Sequence, residues 1–119
     1  MLLFAQIAVA IVLLIHVYIV LLETVFFDTR GRRVFGLSQE KAAIVKPAMS
    51  NQGCYNGFLV AALAVGLLHS DPAVASAFVN YGLLCVAVAG IWGGLTVSRR
   101  IIVVQTVPAV IALLLYQFR

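Results

Sequence analysis

The sequence predicts an all-α fold: a polytopic membrane protein forming a four-transmembrane-helix bundle, with a short interfacial helix in the first cytoplasmic loop. Hydrophobic residues make up 64% of the 119 residues and charged residues 10%, against about 45–50% and 25% in soluble domains. Mean hydropathy is +1.12. A soluble domain of this size has too little interior for so much apolar surface, so lipid must solvate the outer faces. We therefore expect one membrane-embedded domain over residues 1–119.

The first predicted span covers residues 2–27. Four polar side chains interrupt its apolar run: Gln6, His16, Glu23 and Thr24. The run is long enough to cross about 30 Å of hydrocarbon at about 1.5 Å per residue. It is too long for the core of a signal peptide, and no basic residue precedes it. We therefore expect no cleavable signal peptide.

The second predicted span, residues 51–68, follows a polar loop. Five basic residues lie in that loop: Arg30, Arg32, Arg33, Lys41 and Lys46. Ser38 is placed to cap a short helix over residues 39–45, which we expect along the membrane surface. The span ends at a tight turn that includes Asp71 and Pro72, and a proline suits the first turn of the next helix.

The third and fourth predicted spans cover residues 73–97 and 101–116. The segment Ser98-Arg99-Arg100 separates them. Pro108 has no backbone N–H and is expected to kink the fourth span. Small residues recur at multiples of four positions on spans two and three, and such stripes let helix backbones approach closely. We expect these stripes to pack spans two and three together: Gly53, Gly57 and Ala61 with Gly82, Gly90 and Gly94.

Basic residues predict the orientation. Seven lysines and arginines lie in the first and third loops, whereas the opposite side carries only Arg119. The positive-inside rule places both basic loops in the cytoplasm, and both termini and the Asp71 turn outside. The formal net charge of +4 is explained by anionic lipid at the inner surface, so no nucleic-acid partner is expected.

Polar side chains in the predicted spans gather at one depth, near the inner leaflet. Gln52 and Asn56 are four residues apart and share a helix face. His16 and Glu23 are seven apart on one face of span one, which separates them by roughly 10 Å along the axis. The sequence predicts that the residues at this depth converge on a polar pocket, and that His16 and Glu23 mark a path from the pocket to the midplane. The candidate binding residues are Glu23, His16, Asn51, Gln52, Tyr55, Asn56, Trp92 and Gln105.

Structural roles for the same residues stay open. A charged Glu23 inside a span costs roughly 2.5–3.5 kcal/mol, so it must face the bundle or pair at the interface with Arg30 or Arg33. A hydrogen bond to a neighbouring helix is the alternative role for His16. As an alternative to binding, Tyr55 and Trp92 fit the belts of aromatic side chains found at membrane interfaces. Capping of a helix start accounts for Asn51 and Gln52, and contacts between helices account for Gln105 and Thr106.

The sequence lacks the residue patterns of several metal, cofactor and catalytic sites. Cys54 and Cys85 lie inside predicted helices without metal-ligand spacing. A haem bound by two histidines needs both at one depth, but His16 lies near the midplane and His69 at the outer edge. No phosphate-binding loop, nucleophile elbow or zinc-protease helix is present. We therefore expect no metal and no cofactor.

The segment from Asn51 to Leu59, NQGCYNGFL, is the most distinctive part of the chain. With His16, Glu23 and the stretch from Gln105 to Pro108, it resembles the small bacterial membrane proteins grouped as domain-of-unknown-function family 1304, over essentially the whole length. The resemblance implies a four-helix protein of the bacterial cytoplasmic (inner) membrane and carries no established activity. Cys54 occupies a variable position of the segment, which implies that no thiol is essential.

Three functions from different classes fit the pattern. The favoured one is binding or transport of a small amphipathic or cationic molecule, with Glu23 as the ionisable contact and Asn56, Gln52 and Tyr55 orienting the ligand. The second is a membrane enzyme acting on a lipid or isoprenoid, with Glu23 or His16 as general base. The third is a structural subunit of a larger membrane complex. Expected partners are membrane lipids, the amphipathic ligand, and a second copy or a larger assembly.

Overall fold

The computed structural model describes residues 2–119, and over these residues the fold is entirely helical. Five α-helices occur in chain order: α1 (Leu2–Glu23), α2 (Arg32–Val34), α3 (Gln39–Leu68), α4 (Pro72–Thr96) and α5 (Val107–Gln117). Two π-helical segments interrupt them, the first at Phe27–Gly31 and the second at Ile102–Thr106. The molecule measures 47 × 26 × 18 Å, an elongated bundle whose long axis matches its longest helix.

The four long helices form a four-sided bundle. α3 packs against α1 and α4, and α5 packs against the same two helices from the other side. Small and branched side chains at spacings of three and four fill the core, as expected for helix faces turned inward. The fully buried members are Ala5, Val9, Leu63, Leu83, Val86, Ala109 and Ala112.

Two helices of the described chain, α1 and α4, are long and apolar enough to cross a membrane. α3 is the longest helix, but its first half is polar and charged, and Asn51, Gln52 and Asn56 interrupt its apolar half. The apolar helical stretch at the end of the chain, Ile102–Gln117, is shorter than the other two. The all-helical prediction is therefore confirmed, and two apolar helices support an association with a membrane.

Local capping residues fix two helix starts, and the first of them, Ser38, was predicted from the sequence. The side chain of Ser38 accepts a hydrogen bond from the backbone N–H of Lys41 at 3.2 Å, which satisfies one of the free donors in the first turn of α3. The carboxylate of Asp71 accepts from the backbone N–H groups of Ala73 and Val74 at 2.8 and 3.3 Å. Pro72 then occupies the first turn of α4, where its missing N–H costs nothing.

α3 differs from the prediction of a separate surface helix. Residues 39–45 and the predicted span 51–68 form one continuous helix of 30 residues that passes through Pro47, about 45 Å long. Pro47 has no N–H to donate to the carbonyl of Ala43, but both residues are exposed, so this carbonyl is not left in a dry core. The ion pair between Lys46 and Asp28 ties this half of α3 to the first π-helical segment. The predicted break before residue 51 was therefore wrong.

α1 ends at Glu23, four residues before the predicted end of the first span. The chain then turns into the first π-helical segment, where Phe27 is fully buried and the N–H of Gly31 donates to the carbonyl of Phe26 at 2.8 Å. A side chain at Gly31 would collide with the carbonyl of Leu22. This glycine therefore lets the segment fold back against the end of α1.

The second π-helical segment lies where the sequence predicted a kink. Pro108 has no N–H to donate to the carbonyl of Val104, and its ring crowds that carbonyl. The helix widens over Ile102–Thr106, and the N–H of Val107 bonds to the carbonyl of Ile102. The irregularity expected at Pro108 thus takes the form of a π-helical turn directly before it.

Glycine contacts between the helices differ from the predicted stripes. A Cβ at Gly53 would lie 2.5 Å from Thr24 Cγ2, directly after α1, and 3.3 Å from Glu23 Cβ on α1, whereas a Cβ at Gly57 would meet no atom within 4 Å. The Gly53 and Gly57 pair therefore does not pack α3 against α4, because the face of α3 that carries Gly53 is turned toward α1. This prediction was wrong.

Other glycines make the close contacts of α4. A Cβ at Gly82 would lie 2.8 Å from Leu63 Cδ2, and one at Gly66 would lie 3.0 Å from the backbone N of Val79. These two glycines bring α3 and α4 together. Gly90 and Gly94 face the second π-helical segment instead, so the predicted stripe on α4 serves two different neighbours.

We predict opposite effects for two alanine substitutions on α3. Gly66→Ala should destabilise the protein by about 1–2 kcal/mol, because the new methyl group must displace Val79 at a close backbone contact. Gly57→Ala should stabilise it by up to about 1 kcal/mol, because alanine is the better helix former and the space is open. Unfolding in a detergent titration followed by circular dichroism measures both. Equal effects of the two substitutions would contradict the packing described.

Candidate functional site

Within residues 2–119, four polar or charged side chains are buried. They are His16 and Glu23 on α1, Asn56 on α3, and Thr106 in the second π-helical segment. A buried polar group is costly unless a hydrogen bond satisfies it. Apolar packing therefore does not explain why these four buried positions carry polar side chains.

Glu23 and Asn56 form a direct pair between α1 and α3. The side-chain amide of Asn56 donates to Glu23 Oε1 at 2.6 Å, and the two residues are 6% and 5% exposed. Gly53 lies one turn before Asn56, and a Cβ there would be 3.3 Å from Glu23 Cβ. The small size of Gly53 lets the two helices approach closely enough for this hydrogen bond.

Thr106 is a buried residue that the sequence analysis did not select as a site residue. Its hydroxyl donates to the carbonyl of Ala87 on α4 at 3.0 Å. A Cβ at Gly90 would lie 2.8 Å from the backbone N of Thr106. The selected neighbour, Gln105, is only half-buried. The π-helical turn changes the helical phase at this point, so residue spacing alone does not show which of the two side chains faces inward.

His16 lies two turns from Glu23 on the buried face of α1. Its Nδ1 is hydrogen-bonded to the carbonyl of Val12, one turn earlier on the same helix, at 2.9 Å. Its Nε2 has no partner within residues 2–119. The alternative in which His16 hydrogen-bonds a neighbouring helix therefore does not match the structure.

An open groove of about 340 Å³ lies between α3 and α4. We call it the α3–α4 groove, and its lining includes Gln52, Tyr55, Asn56, Ala62, Tyr81 and Cys85. No charged residue or histidine of the described chain lines it. Asn56 belongs both to this groove and to the buried pair, so its amide links the groove to Glu23.

The other predicted site residues lie apart from the pair. Tyr55 is 58% exposed, and its ring packs edge to face on Phe58 with centroids 5.9 Å apart. Trp92 is 70% exposed, and it does not line the groove. Asn51 is also exposed outside the groove. The structure thus groups Glu23 with Asn56, and Gln52 and Tyr55 with the groove.

Basic side chains do not reach Glu23. Arg30 Nε donates to the hydroxyl of Tyr18 at 2.5 Å, and its guanidinium lies 5.6 Å from the centre of that ring. The ion pair found among the described residues joins Lys46 to Asp28 at the surface. The alternative in which Glu23 pairs with Arg30 or Arg33 is therefore not observed, and an amide is its partner.

The described residues contain no group of three or more His, Cys, Asp or Glu side chains able to hold a metal ion. Cys54 is exposed and Cys85 half-buried, both as free thiols. The two buried ionisable side chains, His16 and Glu23, belong to one helix and share no hydrogen bond. The polar groups of the site are therefore one carboxyl group and several amide and hydroxyl groups.

Residues 10–117 match a family model described as "Protein of unknown function (DUF1304)". The chain belongs to this family. The match includes all four buried polar residues and the whole α3–α4 groove. No curated protein and no solved structure matches the chain.

We predict that Glu23 and Asn56 are energetically coupled. Asn56→Leu should destabilise the protein by about 1–3 kcal/mol, because it leaves the buried carboxyl group without its donor. The double variant Glu23→Leu with Asn56→Leu should recover part of this loss, because two apolar side chains then replace the pair. A double-mutant cycle of unfolding free energies measures the coupling.

The matched control is Asn51→Leu, one turn away and exposed, which should change stability by less than about 0.5 kcal/mol. Additive effects of the Glu23 and Asn56 substitutions would show that the hydrogen bond contributes nothing to the fold.

Proposed function

We propose that the chain is a four-span protein of the bacterial inner membrane, with both termini outside, and that the α3–α4 groove binds a small amphipathic molecule in the inner leaflet. The main support is the position of Asn56. This residue is buried, lines the groove and donates to Glu23. A polar group is thus held in fixed orientation at an otherwise largely apolar surface, which is typical of ligand sites.

Exposed apolar side chains support the membrane setting. Leu14, Val88 and Leu114 lie on the outer faces of α1, α4 and α5. A soluble monomer rarely exposes large continuous apolar surface, whereas lipid solvates it without cost. The charged residues lie near the helix ends, in the first half of α3 and in the connections between helices, consistent with basic segments at the inner surface.

The α3–α4 groove is open on one side, which supports entry of a ligand from the bilayer. The groove lies on the outer surface of the α3 and α4 pair, and its lining includes exposed side chains such as Tyr81. In the proposed orientation, Gln52 and Asn56 lie nearest the inner headgroups, and Ala62 lies deeper. A ligand would place its polar group beside the amides and its apolar part along the deeper half.

Binding has better support than conduction through the bundle. The core between α1 and α4 is filled by fully buried side chains that include Leu63, Leu83 and Val86. Glu23 lies behind Asn56 and does not line the groove. Its proposed role is to hold the Asn56 amide in place. The enzyme hypothesis has less support, because neither candidate base, Glu23 or His16, lines the groove.

The topology predicts which positions are accessible from each side of the membrane. In a chain with Cys54 and Cys85 replaced by alanine, a cysteine introduced by Ser70→Cys should react with a membrane-impermeant maleimide in intact spheroplasts. A cysteine introduced by Ser98→Cys should react only after permeabilisation. Ser70 lies in the connection before α4 and Ser98 in the connection after it. Labelling of both positions, or the reverse pattern, would contradict the proposed orientation.

Filling the groove should reduce ligand binding. Ala62→Trp places a large ring in the groove, so labelling of the purified protein by a photoreactive alkyl probe should fall at the α3 and α4 peptides. Ala61→Trp is the matched control, because Ala61 is exposed and does not line the groove. Peptide mass spectrometry after cross-linking measures the labelled positions. Equal labelling of the two variants would contradict a binding site in the groove.

A further inference from the structure

We infer that the ligand of the α3–α4 groove is a single-chain lipid with an uncharged hydroxyl headgroup, a long-chain alcohol. This inference rests on the proposed function and names its ligand class. It is carried by three features of the groove: its lack of charge, the free hydrogen-bonding groups at one end, and the small residues along the other.

The lining carries no charged side chain that would recognise an ionised headgroup. Carboxylate and phosphate headgroups are normally held by arginine or lysine, and no such residue of the described chain lines the groove. Glu23 is separated from the groove by Asn56, which occupies one of its oxygens. The site therefore fits a ligand without net charge at its head.

The aromatic residues of the groove do not form a cage for an alkylammonium group. Such a cage needs rings around one point. Gly82 packs against Leu63, so the adjacent Tyr81 lies level with that turn of α3. Tyr55 is eight residues earlier than Leu63, about 12 Å along the helix. The two tyrosines therefore lie at different depths. The third ring of the groove, Phe58, packs edge to face on Tyr55 with centroids 5.9 Å apart, so these two rings contact each other and leave no space between them for a cation.

The amides at one end of the groove match a hydroxyl group. Asn56 uses one N–H for Glu23, and among the described residues its second N–H and its carbonyl oxygen have no hydrogen-bond partner. Gln52 lines the groove one turn earlier. Together these amides offer both donors and acceptors, and a hydroxyl group both donates and accepts. An alcohol headgroup therefore satisfies them without bringing a charge out of water.

The rest of the groove suits one narrow chain. From Gln52 to Ala62 the groove follows α3 for about 15 Å, with Ala62, Cys85 and Ala89 among the small residues of its wall. Its volume of about 340 Å³ is near the lower limit of ligand sites, roughly 300–1,000 Å³. One alkyl or isoprenoid chain fits this shape better than the two chains of a phospholipid.

Competition for a photoreactive probe tests the inference. The purified full chain in uncharged detergent is cross-linked with a hexadecanol that carries a diazirine in mid-chain. Unlabelled hexadecanol, hexadecanoic acid and hexadecylamine compete at a pH where the acid and the amine are ionised. We expect hexadecanol to compete about two- to tenfold better than either ion, the range of one neutral hydrogen bond.

Two glutamine variants make the headgroup test specific. Gln52→Leu should abolish the preference for the alcohol, and because Gln52 is exposed the variant should still fold. Gln6→Leu is the matched control, an exposed glutamine of α1 outside the groove, and it should keep the preference. Asn56→Leu should also lose it, with circular dichroism as the check on folding.

The outcomes separate this inference from the proposed function. Labelling of the groove with equal or better competition by the acid or the amine would overturn the alcohol headgroup and leave the binding site intact. A preference that persists in Gln52→Leu would overturn it as well. Labelling outside the groove by every probe, unchanged by Ala62→Trp, would instead contradict the proposed function itself.

Discussion

The hydrogen bond between the Asn56 amide and the Glu23 carboxyl group is the interaction on which the packing of α1 against α3 depends at this end of the bundle. Both groups are buried, and a buried polar group that loses its partner costs about 1–3 kcal/mol. The bond requires α1 and α3 to lie close together, which the absence of a side chain at Gly53 permits. It also fixes the rotation of α3, because Asn56 reaches Glu23 only when the apolar positions of α3 face the core.

The rotation of α3 determines which side chains line the α3–α4 groove. Once Asn56 points at α1, Gln52 and Tyr55 are left on the side of α3 that faces α4 and the exterior. α4 is held against α3 by the contacts at Gly66 and Gly82, and the same helix meets the second π-helical segment at Gly90. The groove thus forms because α3 packs against both α1 and α4. Its polar end is rigid because one of its amides belongs to the interior.

The sequence predicted the helical fold, the Ser38 cap and a proline at the start of α4, because those features depend on local signals. It also selected Glu23 and Asn56, since a polar residue deep in an apolar run needs a partner. It did not predict that Asp71 caps α4. It did not predict the continuity of α3 through Pro47 either, because a proline indicates a helix break in sequence, whereas the packing of α3 along α1 and α4 depends on contacts between distant residues. An interhelical contact was among the roles left open for Gln105 and Thr106, and Thr106 makes one with Ala87. The sequence did not show which of the two faces inward, since a π-helical turn shifts the periodicity on which helical phase is judged.

His16 and Glu23 lie on one buried face of α1, an arrangement that suggests a path for protons or solutes along that helix. The structure argues against a continuous path. Nδ1 of His16 is engaged by its own helix at Val12, and no buried polar side chain of the described residues lies between His16 and Glu23 on α1. Proton transfer over two helical turns needs intermediate groups, whereas the Glu23 and Asn56 pair is complete without His16. His16 is therefore separate from the pair: its Nε2 is buried without a partner among residues 2–119, whereas Asn56 donates to Glu23 beside the α3–α4 groove.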